Sequence, residues 1–154
     1  MDNLVLNEWF LHDLNYDNGE KKLRETSMFL SHIIHKDNFR IFILGESPWI
    51  DKARKMAANP KEPMKTLTHL LFGKVLRDSE KCGIIRNSEL SEVPEEILLQ
   101  MPQEDVYLIK LAFTVAPCIL VSTDNELIAN TKRFESEIKV SPFHRDDFIS
   151  HIIH

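Results

Sequence analysis

Short apolar segments alternate along this chain with longer segments whose apolar residues recur at helical spacing. Leu4–Leu6, Phe39–Leu44 and Ile119–Ser122 are rich in β-branched or aliphatic residues, which favours buried strands. Glu20–His35 and the stretch from Gln103 to Ala116 have the density of apolar residues expected of half-buried and buried helices. No Asn-Gly turn joins two adjacent predicted strands directly. The alternation predicts an α/β fold, a three-layer α/β/α sandwich with a central parallel sheet.

The remaining elements follow from the same patterns and from capping signals. Ser47 before Pro48 is typical of a helix N-cap followed by proline at the first helical position. Further helices are predicted over 47–58, 63–79, 94–100, 124–131 and 146–153, and strands over 83–85 and 138–140. A chain of 154 residues with four glycines and no flexible linker is expected to form a single domain, 1–154.

Several classes of protein are excluded by what the sequence lacks. Cys82 and Cys118 lie far apart without a CxxC spacing, so we expect reduced thiols and a cytoplasmic protein. The start of the chain has no basic region typical of a signal peptide, and no stretch reaches the roughly 18 apolar residues of a membrane helix. SHIIH occurs at 31–35 and 150–154, but two histidines per copy are too few for a metal site, and the duplication is interpreted as chance.

Positive charge is concentrated in one part of an acidic chain. The net charge is -5, yet residues 52–86 contain nine Lys/Arg and three Asp/Glu. Such a segment indicates either a solvated helical face or a surface that contacts phosphate groups, and charge alone does not distinguish the two.

Polar residues follow three of the predicted strands. Asn7 and Glu8 come after the first strand, Glu46 after the second, and Thr123 and Asp124 after the strand that ends at 122. In an open parallel sheet, ligands bind outside the carboxyl ends of the strands. These side chains are therefore expected to line one crevice.

Asp105 adds a further carboxylate to this crevice. It lies in the first turn of a helix and shares a face with Leu108, Ile109 and Ala112, which directs it along the buried side. Taken alone, an acid in the first turn of a helix is also explained by its favourable interaction with the helix dipole. Next to Asp124, however, two half-buried like charges repel unless a cation lies between them, and oxygen ligands without cysteine favour Mg²⁺ or Mn²⁺.

The segment 104–128, EDVYLIKLAFTVAPCILVSTDNELI, resembles the second half of a PIN domain, a metal-dependent nuclease fold. In that family an aspartate opens a buried helix, and the next strand ends in Thr/Ser-x-Asp or Thr-Asp. Asp105 and Asp124 match these two acids. The opening NLVLNEWFL is similar to the family's first strand, but Asn7 stands where an aspartate is usual and Trp9 where an asparagine is usual.

The resemblance leaves the remaining acid of the family's site open. Glu46 and Asp51 both lie near the end of the second strand, and Glu46 is favoured because it is nearer the crevice. Asn7 would serve as a neutral metal ligand, and Glu8 is a candidate to compensate for the missing charge. Ser122 or Thr123 would orient a water molecule or a phosphate.

The resemblance implies a Mg²⁺- or Mn²⁺-dependent endoribonuclease with catalytic residues Asp105, Asp124, Glu46 and Asn7. RNA phosphates would contact the start of the basic segment, at Lys52, Arg54 and Lys55. For a small domain the family suggests the toxin of a toxin–antitoxin pair, restrained by a protein partner and forming a homodimer. The alternatives are a non-catalytic PIN-fold module that binds RNA or protein, because the first-strand aspartate is replaced, and a different α/β fold with a metal-assisted phosphatase site.

Overall fold

The centre of the molecule is a five-stranded sheet in which every neighbouring pair of strands is parallel. The computed structural model describes residues 1–153. Within them the strands are β1 (Asp2–Leu6), β2 (Phe39–Leu44), β3 (Cys82–Ile85), β4 (Cys118–Ser122) and β5 (Val140–His144). Their order is β3-β2-β1-β4-β5, with β1 in the middle. The predicted fold class and the predicted parallel sheet are confirmed.

Helices connect the strands. They are α1 (Trp9–Leu14), α2 (Glu20–His35), α3 (Pro48–Met56), α4 (Met64–Leu70), α5 (Glu95–Leu98), α6 (Val106–Thr114), α7 (Asn125–Arg133), α8 (Glu135–Ile138) and α9 (Arg145–Ile153). A π-helical segment, Leu71–Leu76, continues α4, so the helix predicted over 63–79 is divided into two kinds of helix. Short 3₁₀ turns lie at Asn87–Glu89 and Gln103–Asp105. In residues 1–153, no helix combines the length and apolar composition that crossing a bilayer requires.

Two apolar clusters cover opposite faces of the sheet. Because successive side chains of a strand point to opposite faces, Leu4 and Leu6 of β1 join one cluster and Val5 joins the other. The first cluster contains buried residues of α1, α2, α3 and α9, and the second contains those of α5, α6 and α7. Helices therefore pack on both faces, which is the three-layer arrangement predicted from the sequence.

The last strand lies further along the chain than predicted. Ile138 ends α8, and Lys139 has a left-handed backbone (φ 57°), so the strand expected over 138–140 is wrong and β5 begins at Val140. The difference arises from Pro142. A proline in a sequence predicts that no strand passes through it, but β5 tolerates Pro142 because this strand is at the edge of the sheet.

Helix α1 was not predicted. His154, in the second SHIIH copy, lies outside the described residues.

A buried arginine ties the helices on one face together. Arg145, at the start of α9, is 2% exposed, and its Nε donates to Asp13 of α1 at 3.0 Å, where Asp13 is 1% exposed. Its Nη2 donates to Thr26 of α2 at 3.1 Å, and Nη1 contacts Glu25 at 3.2 Å. Since a buried charge needs partners, this network fixes α1, α2 and α9 relative to one another.

Replacing Arg145 by glutamine should lower the free energy of unfolding by about 3 kcal/mol or more, because the variant leaves Asp13 buried without its counter-charge. Arg24→Gln is the matched control, since Arg24 forms an exposed i,i+4 pair with Glu20 and its loss should cost less than about 1 kcal/mol. Urea denaturation measures both changes. Equal, small changes in the two variants would contradict a structural role for the buried network.

Candidate functional site

Polar residues follow the carboxyl ends of three adjacent strands, β2, β1 and β4. Asn7 follows β1, and its backbone N–H still donates to the carbonyl of Val121 on β4, at 3.1 Å. Glu46 follows Gly45 after β2, is exposed and has a left-handed backbone (φ 58°). Thr123 and Asp124 follow β4. Because the strands are parallel, these residues lie at the same edge of the sheet, as the sequence predicts.

Asp105 is brought to this edge by α6. It closes the 3₁₀ turn that leads into the helix and is 6% exposed. Leu108, Ile109 and Ala112 are buried in the same cluster as Val5 of β1, which anchors the helix on the sheet. The predicted buried face is confirmed, and it accounts for the burial of a carboxylate.

Three carboxylates converge at this place. One oxygen from each of Glu104, Asp105 and Asp124 lies within 4.8 Å of the other two. Among residues 1–153, Glu46 and Asp51 are not members of this group, and both are exposed. Glu104 was not singled out from the sequence, although its position directly before Asp105 in the quoted motif was a usable signal. The arrangement offers three oxygen ligands of the kind that Mg²⁺ and Mn²⁺ prefer.

The electrostatics of Asp105 reflect its crowded position. Burial raises the pKa of Asp105 to about 6, and the hydrogen bond and charge of Asp124, together with the charge of Glu104, add to the rise. The side chain of Asn7 acts in the opposite direction and lowers this pKa. A raised carboxyl pKa means that the surroundings disfavour the charged form of Asp105, and a bound divalent cation would stabilise that charged form in place of a proton.

Asp124 also caps a helix. Its Oδ1 accepts the backbone N–H groups of Glu126 (2.9 Å) and Leu127 (3.2 Å) at the start of α7. This cap fixes the orientation of the carboxylate and satisfies two helix donors. The second oxygen of Asp124 has no hydrogen bond of this kind to the helix, so capping and cation binding are compatible.

Ser122 connects the two strand ends. Its Oγ accepts from Nδ2 of Asn7 at 3.1 Å and from the backbone N–H of Asp124 at 3.0 Å, and the residue is fully buried. The Oδ1 of Asn7 accepts the backbone N–H of Glu8 at 2.7 Å. Ser122 therefore holds Asn7 and Asp124 in place by hydrogen bonds. Thr123, in contrast, is exposed at the surface.

Tyr107 is a polar neighbour that sequence reasoning missed. Its hydroxyl is buried and has no hydrogen-bond partner among the described residues. Burial, followed by the negative charges of Glu8 and Asp105, raises the pKa of this phenol well above its usual value. The only sequence signal is its position two residues after Asp105, which does not distinguish it from a core aromatic residue.

The two tryptophans near the predicted site residues belong to the core. Trp9 is 4% exposed and its indole N–H donates to the carbonyl of Val121 at 2.8 Å, and Trp49 is 3% exposed. Neither ring presents a free face for stacking on a base.

The predicted RNA contacts differ from one another in their surroundings. Lys52 forms an ion pair with Asp17 at 3.1 Å, so its charge is partly compensated within the protein. Arg54 and Lys55 are exposed and form no ion pair with a carboxylate of residues 1–153.

The two cysteines are buried free thiols, as predicted.

Neither the models of known protein families nor the curated proteins contain a match to this chain.

The pH dependence of stability should reveal the raised pKa of Asp105. Between the ordinary value of 3.8 and the folded value of about 6, the folded protein keeps a proton that the unfolded chain has lost, so rising pH destabilises the metal-free parent. Asp105→Asn has no such titration. The stability of the variant relative to the parent should therefore increase between pH 4 and 7, by on the order of 2 kcal/mol, since one pKa unit corresponds to about 1.4 kcal/mol. Denaturant unfolding across this pH range measures it, with Asp51→Asn as the exposed control. A constant difference would contradict the raised pKa.

Two substitutions of Asp124 should separate its capping role from its charge. Asn caps a helix as well as Asp does, so Asp124→Asn should be as stable as the parent without metal, or slightly more stable because repulsion with Asp105 is relieved. Asp124→Ala should lose about 1 kcal/mol with the cap.

Thermal unfolding in chelator and in excess Mn²⁺ tests both variants. Mn²⁺ should raise the melting temperature of the parent and leave Asp124→Asn unchanged. A parent that does not respond to Mn²⁺, beside an Asp124→Asn variant that is destabilised in chelator, would show that the aspartate has a structural role only.

Proposed function

We propose that this protein is a Mg²⁺- or Mn²⁺-dependent endoribonuclease that hydrolyses RNA phosphodiester bonds. The observation that carries the proposal is the group of three carboxylates, Glu104, Asp105 and Asp124, at the carboxyl edge of a parallel sheet. Two of its members are the acids that match the PIN-domain motif. The raised pKa of Asp105 supports a cation at this position, because the protein alone does not neutralise the group.

The donor set suits a hard divalent cation. Glu104, Asp105 and Asp124 would hold it, and a cation bound there supplies Lewis-acid activation of water and stabilisation of charge on the phosphate oxygens. Glu46, exposed at the end of β2, is the further acid proposed for the site. Asp51, in the first turn of α3, is its competitor for that role.

The other side chains of the site hold the strand ends or the RNA in place and take no part in the bond cleavage. Ser122 holds the backbone of Asp124 and the amide of Asn7, and this fixes the ends of β4 and β1 next to each other. The exposed hydroxyl of Thr123 is free to orient a phosphate or a water molecule. Arg54 and Lys55 are exposed cations on α3 suited to contact the RNA backbone.

The PIN resemblance extends the proposal to a biological setting. A small PIN-like nuclease of this kind would act as the toxin of a toxin–antitoxin pair, held inactive by a protein partner, and would form a homodimer.

A second candidate is a non-catalytic module that binds RNA or protein. It is favoured by Asn7, whose amide takes the place of an acid and already uses both its oxygen and its nitrogen in hydrogen bonds to Glu8 and Ser122. A neutral, internally engaged residue weakens the cation site. The two candidates share the fold and differ in whether phosphodiester bonds are cleaved.

Cleavage of labelled single-stranded RNA with Mn²⁺ tests the first candidate. We expect cleavage by the parent, none in chelator, and losses of at least about 100-fold in Asp105→Asn and Asp124→Asn, because loss of groups that merely support metal ligands already costs about 10- to 100-fold. Glu126→Gln is the matched control, an exposed acid in the first turn of α7 outside the carboxylate group, and it should cleave like the parent.

The Asn7→Asp variant distinguishes the two candidates. If the parent binds RNA without cleaving it, and Asn7→Asp gains Mn²⁺-dependent cleavage, the protein is the non-catalytic RNA-binding module, and its site lacks one acid that cleavage requires. If neither protein cleaves, and Mn²⁺ does not alter the melting temperature of either one, the nuclease proposal fails.

A further inference from the structure

A cavity lies between α3 and the end of α4, and none of its lining residues belongs to the carboxylate group of the proposed function, in which Arg54 alone has a role, as an RNA contact. Its volume is about 400 Å³, and it is lined by Arg54, Ala57, Thr68, His69, Phe72 and Arg77. We propose that this cavity binds the phosphate group of a nucleotide-sized small molecule.

Two arginines supply its charge. The side chains of Arg54 and Arg77 are exposed, and neither forms an ion pair or a side-chain hydrogen bond with residues 1–153. Asp78, the nearest acid to Arg77 in sequence, accepts the backbone N–H of Glu80 with its Oδ1 at 2.9 Å, and Asp51, three residues before Arg54 on α3, forms no ion pair with it. Two uncompensated guanidinium groups at one cavity match the planar, bidentate contacts that phosphate oxygens make.

Thr68 provides an independent sign of a ligand. The residue is 1% exposed, it lines the cavity, and its hydroxyl has no hydrogen-bond partner among the described residues. A buried hydroxyl without a partner is costly, and such groups in native proteins are accounted for by water, an ion or a ligand. A phosphate oxygen held by the arginines would accept this hydrogen bond.

The remaining lining residues indicate what the phosphate is attached to. Ala57 and the half-buried ring of Phe72 form an apolar wall, and the volume exceeds what a bare phosphate needs but suits a small organic ligand. Phe72 lies in the π-helical segment Leu71–Leu76 that continues α4. These features favour a nucleotide-sized phosphomonoester over the repeating diester of an RNA strand.

Isothermal titration in metal-free buffer tests the proposal, with inorganic phosphate, adenosine 5′-monophosphate and a short single-stranded RNA as separate probes. The parent should bind adenosine monophosphate, and bind phosphate more weakly. Arg77→Gln should weaken both by about tenfold or more, since a hydrogen bond to a charged group contributes about that factor. Lys74→Gln removes an exposed cation from the same π-helical segment outside the cavity and should bind like the parent.

Thr68→Val is the second variant, and it separates binding from folding. Valine has the same shape without the unpartnered hydroxyl, so the variant should melt at or above the parent's temperature while its affinity for adenosine monophosphate falls about tenfold. Absence of binding by the parent would overturn the proposal. Unchanged affinity in both Arg77→Gln and Thr68→Val, or binding of the RNA strand alone, would overturn it as well. These measurements contain no divalent cation, and neither variant changes a residue assigned to the nuclease, so failure of this proposal is distinguishable from failure of the nuclease proposal.

Discussion

The position of β1 between two parallel neighbours is the constraint from which the candidate site follows. Leu4 pairs with Ile41 of β2 and with Ile119 of β4, and the β4 pairing continues to Leu6 opposite Val121. Because all three strands run in the same direction and in close register, their polar continuations meet at one edge. The backbone N–H of Asn7 extends the pairing by one further hydrogen bond to Val121, which sets Asn7 beside Ser122. The buried layers on both faces hold this register, since a slip by one residue would exchange the faces of every side chain.

The cluster of three carboxylates is locally unfavourable because it brings like charges together, and the rest of the fold tolerates it. Asp105 is carried into low-dielectric surroundings by the apolar face of α6, and the cost appears as its raised pKa. Asp124 is better accommodated, because the α7 backbone donates to it. Conflicts of this kind are expected at functional sites, where folding and binding impose different demands on the same residue. The Asp13–Arg145 pair presents the opposite case, since its charges are buried but mutually satisfied.

Much of the fold was predictable because local patterns and tertiary packing agree. β2 and α2 have the predicted bounds, since their apolar spacing matches their burial. β5 was misplaced because an edge position, which only the assembled sheet reveals, makes Pro142 acceptable. In the site, Asp105 and Asp124 were predictable from motif and helical periodicity. Glu104 could have been inferred from its place next to Asp105 in the motif. The ion pair of Lys52 with Asp17 and the unpartnered hydroxyls of Tyr107 and Thr68 could not, because they depend on distances between segments, which no single-sequence pattern contains.

The proline in β5 also shapes how this sheet meets other molecules. The N–H of Cys118 donates to the carbonyl of Lys139, so the backbone of residue 139 faces β4. Backbone groups alternate in direction along a strand, so Ser141 faces β4 as well and Pro142 faces outward. An added strand would find a carbonyl but no donor at that point of the open edge. The edge at β5 is therefore protected at this point against pairing with an added strand, and copies of this chain that associate are not expected to do so by extending the sheet beyond β5.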